Sequence, residues 1–83
     1  MKKEVLLFAE RFVEGMKCQK KSFSMSDIEK SYNLERKRSG KLAIKLTNME
    51  RLTIESCLLK KYLLQRKYKK REDFWQLVFF SSK

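Results

Sequence analysis

Residues 26–50, SDIEKSYNLERKRSGKLAIKLTNME, predict two helices joined by a tight turn. Ser26 is placed to cap the free amides of the first helix, because Glu29 follows three residues later and completes a capping box. Asn33 is expected to end this helix, since asparagine tolerates the left-handed conformation found at helix ends. A second helix is predicted to follow the turn, so that the helix-turn-helix spans residues 26–52.

The second helix of this pair has two different faces. Leu42, Leu46 and Met49 recur at the helical period and predict an inner, apolar side. The outer side is basic and partly small, which is what a recognition helix in a DNA groove requires. A core helix with a solvated basic face is the alternative. The residues predicted to contact DNA from this helix are Arg36, Lys37, Arg38, Gly40, Lys41 and Ile44.

Individual roles follow from the chemistry of these side chains. Arg36 or Lys37 is the predicted contact to a guanine edge, because arginine and lysine make the commonest specific contact there. Gly40 lies in the middle of the predicted helix, where it would let the backbone approach a phosphate or would simply be tolerated at an exposed site. Ile44 would contact a thymine methyl group or belong to a dimer surface.

The flanking segments complete a predicted winged helix. Residues 3–17 predict a first helix with a wide apolar stripe, which would be the main scaffold of the core. Phe23 lies in the polar loop that follows, and it is expected to fix a very short strand to the core. Residues 54–64 and 74–80 have the composition of two antiparallel strands.

A basic run lies between these two predicted strands. Five of the six residues 66–71 are basic, and they are expected to form the tip of a hairpin over residues 54–80. Such a wing would contact phosphates, and one side chain would enter the minor groove. A hairpin tip kept soluble by its lysines is the alternative. The residues assigned to DNA from the wing are Arg66, Lys67, Lys69, Lys70 and Arg71.

The last predicted strand is unusually aromatic. Alternation along a strand places Trp75, Leu77 and Phe79 on one side. Only one side of the strand pair can cover the helices, so the other would be partly exposed. Trp75, Phe79 and Phe80 therefore predict a surface for a homodimer or a protein partner.

Composition indicates one small basic domain over residues 1–83. Of these 83 residues, 21 are basic and 10 are acidic, so the net charge is +11, which favours an anionic partner such as nucleic acid. No apolar run approaches the roughly 18 residues of a membrane span, and no signal peptide is recognised. We therefore expect a cytoplasmic protein with no membrane partner.

The residue types that enzymes and metal sites use most are scarce. The chain has no histidine, which removes the commonest general base and metal ligand. Cys18 and Cys57 stand alone, without the neighbouring ligands of a zinc site, and two lone thiols fit a reducing compartment. A single disulfide between them is the alternative. No glycine-rich phosphate loop occurs. We predict no catalytic residue, no metal and no cofactor, and hence no enzyme.

The segment Asp27–Leu34 with the basic residues 36–38 resembles the helix-turn-helix of the CaiF/GrlA family of enterobacterial transcriptional regulators. Residues 5–9 and 54–57 are also similar, so the resemblance covers about residues 5–64. The small size resembles the PapI/FaeA-type fimbrial regulators as well. Either resemblance implies a bacterial winged-helix regulator of transcription. By position, residues 36–38 would open the recognition helix, and residues 31 and 32 would support it.

We therefore expect an α+β winged helix-turn-helix with three helices and a two- or three-stranded antiparallel wing. The expected function is sequence-specific binding of double-stranded DNA in transcription regulation. One alternative is a small adaptor or anti-regulator that binds an acidic protein through its basic and aromatic surface. Another is an RNA-binding module in which Tyr68 and Trp75 stack on bases.

Overall fold

The structure is a computed structural model that describes residues 3–19, 21–72 and 74–81. Over these residues the chain forms an α+β fold of three helices and one two-stranded antiparallel sheet. The elements in chain order are α1 (Lys3–Gln19), α2 (Met25–Arg38), α3 (Asn48–Lys61), β1 (Leu64–Arg71) and β2 (Phe74–Ser81).

Helix α1 is the scaffold that its apolar stripe predicts, and it ends at Gln19, two residues after the predicted end. Val5, Ala9 and Val13 are buried along one side because they recur every four residues. The C-terminal end of α3 packs against this helix, where the Lys61 ammonium lies 3.0 Å from a carboxylate oxygen of Glu10.

The segment before α2 is fixed to the sheet as the sequence predicts. Phe23 and Phe79 form an isolated antiparallel bridge in which each backbone N–H donates to the other's carbonyl, at 2.9 and 2.6 Å. The Phe23 ring also packs edge-to-face on Phe12, with ring centroids 5.6 Å apart. The bridge therefore joins α1, the start of α2 and the hairpin in one core.

Helix α2 begins earlier than predicted. Ser24, not Ser26, is the N-cap: its hydroxyl accepts from the Asp27 N–H, and the Asp27 carboxylate accepts from the Ser24 N–H. Asp27 therefore takes the place that the prediction gave to Glu29. The sequence offers both serines, and the Phe23 bridge decides between them because it fixes the backbone just before Ser24.

The predicted turn at Asn33 is wrong, since α2 continues through it to Arg38. The Asn33 side chain behaves like a backbone amide toward the segment 39–47, which we call the linker. Its Nδ2 donates to the Ile44 carbonyl at 2.7 Å, and its Oδ1 accepts from the Ile44 N–H at 2.9 Å. Satisfied in this way, the side chain does not compete for the helix's own hydrogen bonds.

Helix α2 ends at Arg38, two residues before a glycine that the sequence prediction placed inside a helix. Gly40 has φ +74, the left-handed conformation that glycine adopts without a steric cost. The Gly40 N–H donates to the Lys37 carbonyl and the Lys41 N–H donates to the Arg36 carbonyl. These two bonds are the Schellman pattern of a helix C-terminus, so the predicted recognition helix across residues 35–52 does not form.

Two more side chains of α2 hold the linker on the helix. The Glu29 carboxylate accepts from the Leu46 N–H at 2.6 Å and from Arg51 Nη2 at 2.6 Å. Arg36 Nε donates to the Leu42 carbonyl at 2.7 Å. The predicted apolar stripe is therefore split: Leu46 is buried, but Leu42 is 86% exposed. Met49, its third member, is also exposed.

Helix α3 occupies the segment predicted to end one helix and begin a strand. Thr47 caps it, and Glu50 completes a capping box with the Thr47 backbone N–H. Ile54 and Leu58 are buried one turn apart. The predicted strand over residues 54–64 is therefore wrong, because helical spacing of these two residues fills the core despite the β-branched Ile54.

The hairpin is shorter than predicted and its basic run is not at the tip. Strands β1 and β2 pair in a register that sets Arg66 opposite Phe79 and Lys70 opposite Trp75. The pairing places the turn after Arg71, where Glu72 has φ +52. The basic residues of 66–71 therefore lie along strand β1.

Candidate nucleic-acid interface

Helix α3 presents one continuous exposed side. Its members lie on the side of the helix opposite the buried Ile54 and Leu58, as the helical period requires. They combine apolar, polar and basic side chains. The exposed residues of α3 on or beside this stripe are Asn48, Met49, Leu52, Thr53, Ser56 and Lys60.

The hairpin has two sides with different surroundings. Arg66, Tyr68 and Lys70 alternate onto one side of β1, and the Arg66 guanidinium lies 3.7 Å from the Glu55 carboxylate of α3. We call this the α3-facing side. Lys67 and Lys69 project from the other side, so the basic residues predicted to act together are divided between the two.

A groove of about 590 Å³ separates α3 from strand β2. Asn48 and Leu52 line it from α3, and Trp75 and Leu77 line it from β2. The start of α2, at residues 24–26, forms a third wall. Part of the exposed side of α3 and strand β2 of the hairpin thus border the same groove.

The aromatic residues of β2 differ sharply in exposure. Phe79 is 3% exposed and packs on Phe23, whereas Trp75 is 65% exposed. Four residues of strand separate them by about 14 Å, which carries Trp75 beyond the helical core toward the tip. Phe79 is therefore a core residue and not a partner anchor as predicted. Phe80 is half-buried, with the Lys67 ammonium 5.9 Å from its ring centroid.

Several cations are already paired. Arg51 of α3 binds Glu29 at 2.6 Å, and Arg66 is near Glu55. Lys67, Lys69 and Lys70 are exposed and take part in no ion pair found among the described residues. The side chain of Arg71 lies outside what the structure describes, although its backbone ends β1.

The residues predicted for the recognition helix lie elsewhere. They belong to the last turn of α2 and to the linker, whereas the helix that lies beside the hairpin is α3. Arg36 packs on the Tyr32 ring at 5.9 Å in addition to its bond with the linker. Ile44 is half-buried and its backbone is bound to α2. The structure therefore does not bring this group and the hairpin lysines onto one helix–hairpin border.

The exposed side of α3 was not among the predicted sites, although the sequence contains two local signals for the helix boundaries. Ser39-Gly40 has the composition of a helix C-terminus. Thr47-x-x-Glu50 has the composition of a capping box that starts a new helix. Together these signals place a helix boundary on each side of the linker and move the second helix to residues 48–61.

At the α1–α3 contact one group has a shifted pKa. Burial raises the pKa of Tyr62 to about 12, with further contributions from the carboxylates of Glu14 and Glu10. The Tyr62 hydroxyl donates to the Glu14 carboxylate at 2.7 Å. This tyrosine therefore stays neutral and tied to α1 at physiological pH, and it belongs to the scaffold behind the interface.

Cys18 is exposed, Cys57 is half-buried and both are free thiols. Among the described residues no group of three or more potential ligands could hold a metal ion. In the same part of the chain, no helix combines the length and the apolar character needed to cross a membrane. Comparison of the chain with protein-family models, curated proteins and solved structures gives no match.

Proposed function

We propose that this protein binds double-stranded DNA as a winged helix, with α3 in the major groove and the hairpin beside it. The element order supports the proposal, since a helix, a short bridge, two helices and a hairpin follow one another as in that architecture. The long linker between α2 and α3 replaces the tight turn that the sequence predicted.

One observation carries the proposal: the N-terminal part of the exposed side of α3 borders one groove with strand β2, and Arg66 of the basic strand β1 reaches Glu55 of α3. The major groove admits a single α-helix, and a neighbouring basic strand is then placed against the phosphates. Ser56 is an exposed polar side chain on α3 that is placed to meet a base edge, whereas the Thr53 hydroxyl donates to the Met49 carbonyl at 2.8 Å. Regulation of transcription is the role that such sequence-reading would serve.

The net charge of +11 supplies the long-range attraction. Each phosphate neutralised by a lysine or arginine releases counterions, and the logarithm of the binding constant falls with the logarithm of salt by about 0.9 for each contact. Binding of duplex DNA is therefore expected to weaken steeply from about 50 to 200 mM salt.

Two serine variants test which surface binds. Ser56→Glu places a negative charge on the exposed side of α3, and Ser39→Glu places the same charge at the exposed end of α2. Fluorescence anisotropy with labelled duplex DNA is expected to show a large loss of affinity for Ser56→Glu and a small one for Ser39→Glu. The reverse order would move the interface to α2 and the linker. Equal, small effects in both variants would reject α3 as the reading helix.

Protein binding is the second candidate, and the groove favours it. The exposed Trp75 and Leu52 offer apolar surface that an acidic partner with one large apolar side chain would cover, and Lys70, opposite Trp75 in the hairpin, would match its charge. Salt separates the candidates: a protein held mainly by the apolar groove would stay bound at salt concentrations that release DNA. Absence of duplex binding at low salt would reject the first candidate.

A further inference from the structure

We infer that α3 reads A·T base pairs, with Met49 and Leu52 in contact with the methyl groups of thymine. This inference rests on the proposed function and specifies its target. Met49 is 74% exposed and Leu52 is 60% exposed. They lie three residues apart in the first turns of α3, so both belong to the same side.

The position of this apolar pair matches the part of a recognition helix that reaches base edges. In helix-turn-helix proteins the N-terminal residues of the second helix contact the bases. Thymine alone presents a methyl group in the major groove, and apolar side chains are its partners there. Two apolar residues at that end of α3 therefore favour thymine over the other three bases.

A guanine contact from the same turns is disfavoured. Guanine is read mainly by arginine or lysine, yet Arg51, the basic residue of these turns, has its guanidinium bound to Glu29. The exposed Lys60 lies in the last turn, and eleven residues separate it from Met49, or about 16 Å along the helix axis. It is thus placed beyond the bases that the first turns would meet.

The polar neighbours agree with this preference. Asn48 is exposed at the first position of α3, and an asparagine amide binds the N6 and N7 edge of adenine with two hydrogen bonds. Adenine pairs with thymine, so an asparagine and an apolar side chain on one helix can read the two bases of one pair.

Charge identifies DNA as the occupant of this apolar side. Lys60 lies at one end of the same side of α3, and the exposed Lys70 projects from the α3-facing side of the hairpin. An apolar strip bordered by exposed lysines matches a major groove, in which methyl groups lie between two phosphate backbones. An uncharged apolar partner would leave these ammonium groups without counter-charges.

Replacing thymine by uracil tests the inference because it removes only the methyl group. The full chain is first used to select bound duplexes from a random pool, and an A·T-rich core is expected. The selected duplex is then made with uracil at each thymine in turn. We expect binding to weaken about fourfold for each contacted methyl group, from the usual value of burying one such group.

The variant Leu52→Ala tests whether Leu52 makes the contact with the thymine methyl group. This variant is expected to bind the thymine duplex more weakly while its affinity for the uracil duplex changes little, so the ratio of the two falls toward one. Leu42→Ala is the matched control, since Leu42 is an exposed leucine of the linker. Its thymine-to-uracil ratio is expected to equal that of the unmodified chain.

The outcomes separate this inference from the proposed function. Duplex binding with a G·C-rich selected core, or with no effect of uracil, would overturn methyl reading and leave DNA binding standing. A ratio that persists in Leu52→Ala would overturn the assignment to this residue. If no duplex is bound at low salt, the proposed function fails and this inference fails with it.

Discussion

Asn33 is a polar residue in the middle of α2. Its side-chain amide makes the hydrogen bonds to the linker that a backbone partner would otherwise make. Its amide meets both the N–H and the carbonyl of Ile44, just as a neighbouring strand would. Glu29 and Arg36 lie one turn before and one turn after it and bind the backbone of Leu46 and Leu42. Three side chains at helical spacing thus hold alternate residues of the non-helical linker.

Removing this amide is expected to destabilise the fold. Asn33→Ala leaves the Ile44 N–H and carbonyl without their partners, at a cost of about 1–3 kcal/mol, although alanine is the better helix former. Urea unfolding measures the loss, and hydrogen exchange is expected to show faster exchange of the Ile44 amide.

Lys30→Ala is the control for Asn33→Ala, because Lys30 is an exposed residue of the same helix. Its free energy of unfolding is expected to stay within about 0.5 kcal/mol of the original. A loss of similar size in both variants would show that the linker is not held by the asparagine.

At the scale of elements, the boundaries of α2 and α3 depend on local chemistry that is visible in the sequence. Ser39-Gly40 ends α2 and Thr47-x-x-Glu50 starts α3. The prediction went wrong because apolar periodicity from Leu42 to Met49 was given more weight than these end signals. That periodicity is accidental, since residues 41–47 form no helix and Leu42 and Met49 are exposed.

The two glycines of the chain are expected to respond to alanine in opposite directions. At Gly40 the φ of +74 is strained for any residue with a Cβ, and nothing lies within 4 Å of that position. Gly40→Ala is therefore expected to destabilise by about 1–2 kcal/mol from backbone strain alone. Gly15 lies inside α1 with equally open space, so Gly15→Ala is expected to stabilise by about 0.5–1 kcal/mol.

Thermal unfolding of both glycine variants measures this difference. A stabilising Gly40→Ala would contradict the left-handed C-terminus of α2 and would favour the continuous helix that the sequence first suggested. A destabilising Gly15→Ala would contradict the open exposed position of that residue in α1.

Across the whole molecule, the sequence predicted α1, the helix that starts before Ile28 and strand β2, but it predicted neither α3 nor the position of β1. The α1 stripe, the Phe23 bridge and the second strand follow from local patterns. The position of α3 does not, because it depends on how α2 side chains such as Glu29 bind a segment about seventeen residues away. Because the helix beside the hairpin is α3, the candidate site lies on α3. The predicted DNA contacts on α2 are therefore not on the same helix–hairpin border as the hairpin lysines.

The position of the hairpin beside α3 determines which of its basic side chains can meet DNA. Strand β1 carries Lys70 on the α3-facing side and Lys67 and Lys69 on the other. If α3 lies in the major groove, the phosphates beside it face Lys70, and the exposed Lys67 and Lys69 point away from them. Of the five wing residues predicted to contact DNA, Lys70 and Arg66 then remain on the α3-facing side, and Arg66 is near Glu55. The side chain of the fifth, Arg71, lies outside the described residues.

Single lysine variants are expected to reveal this division. Lys70→Ala should weaken duplex binding and reduce the slope of log affinity against log salt by about 0.9, the value for one phosphate contact. Lys69→Ala removes the same charge from the other side of the strand and should leave the slope unchanged. Equal reductions in both variants would mean that DNA surrounds the hairpin on both sides, as it does when a wing enters the minor groove. Unchanged slopes in both would mean that the hairpin does not contact DNA, and α3 would then bind without it.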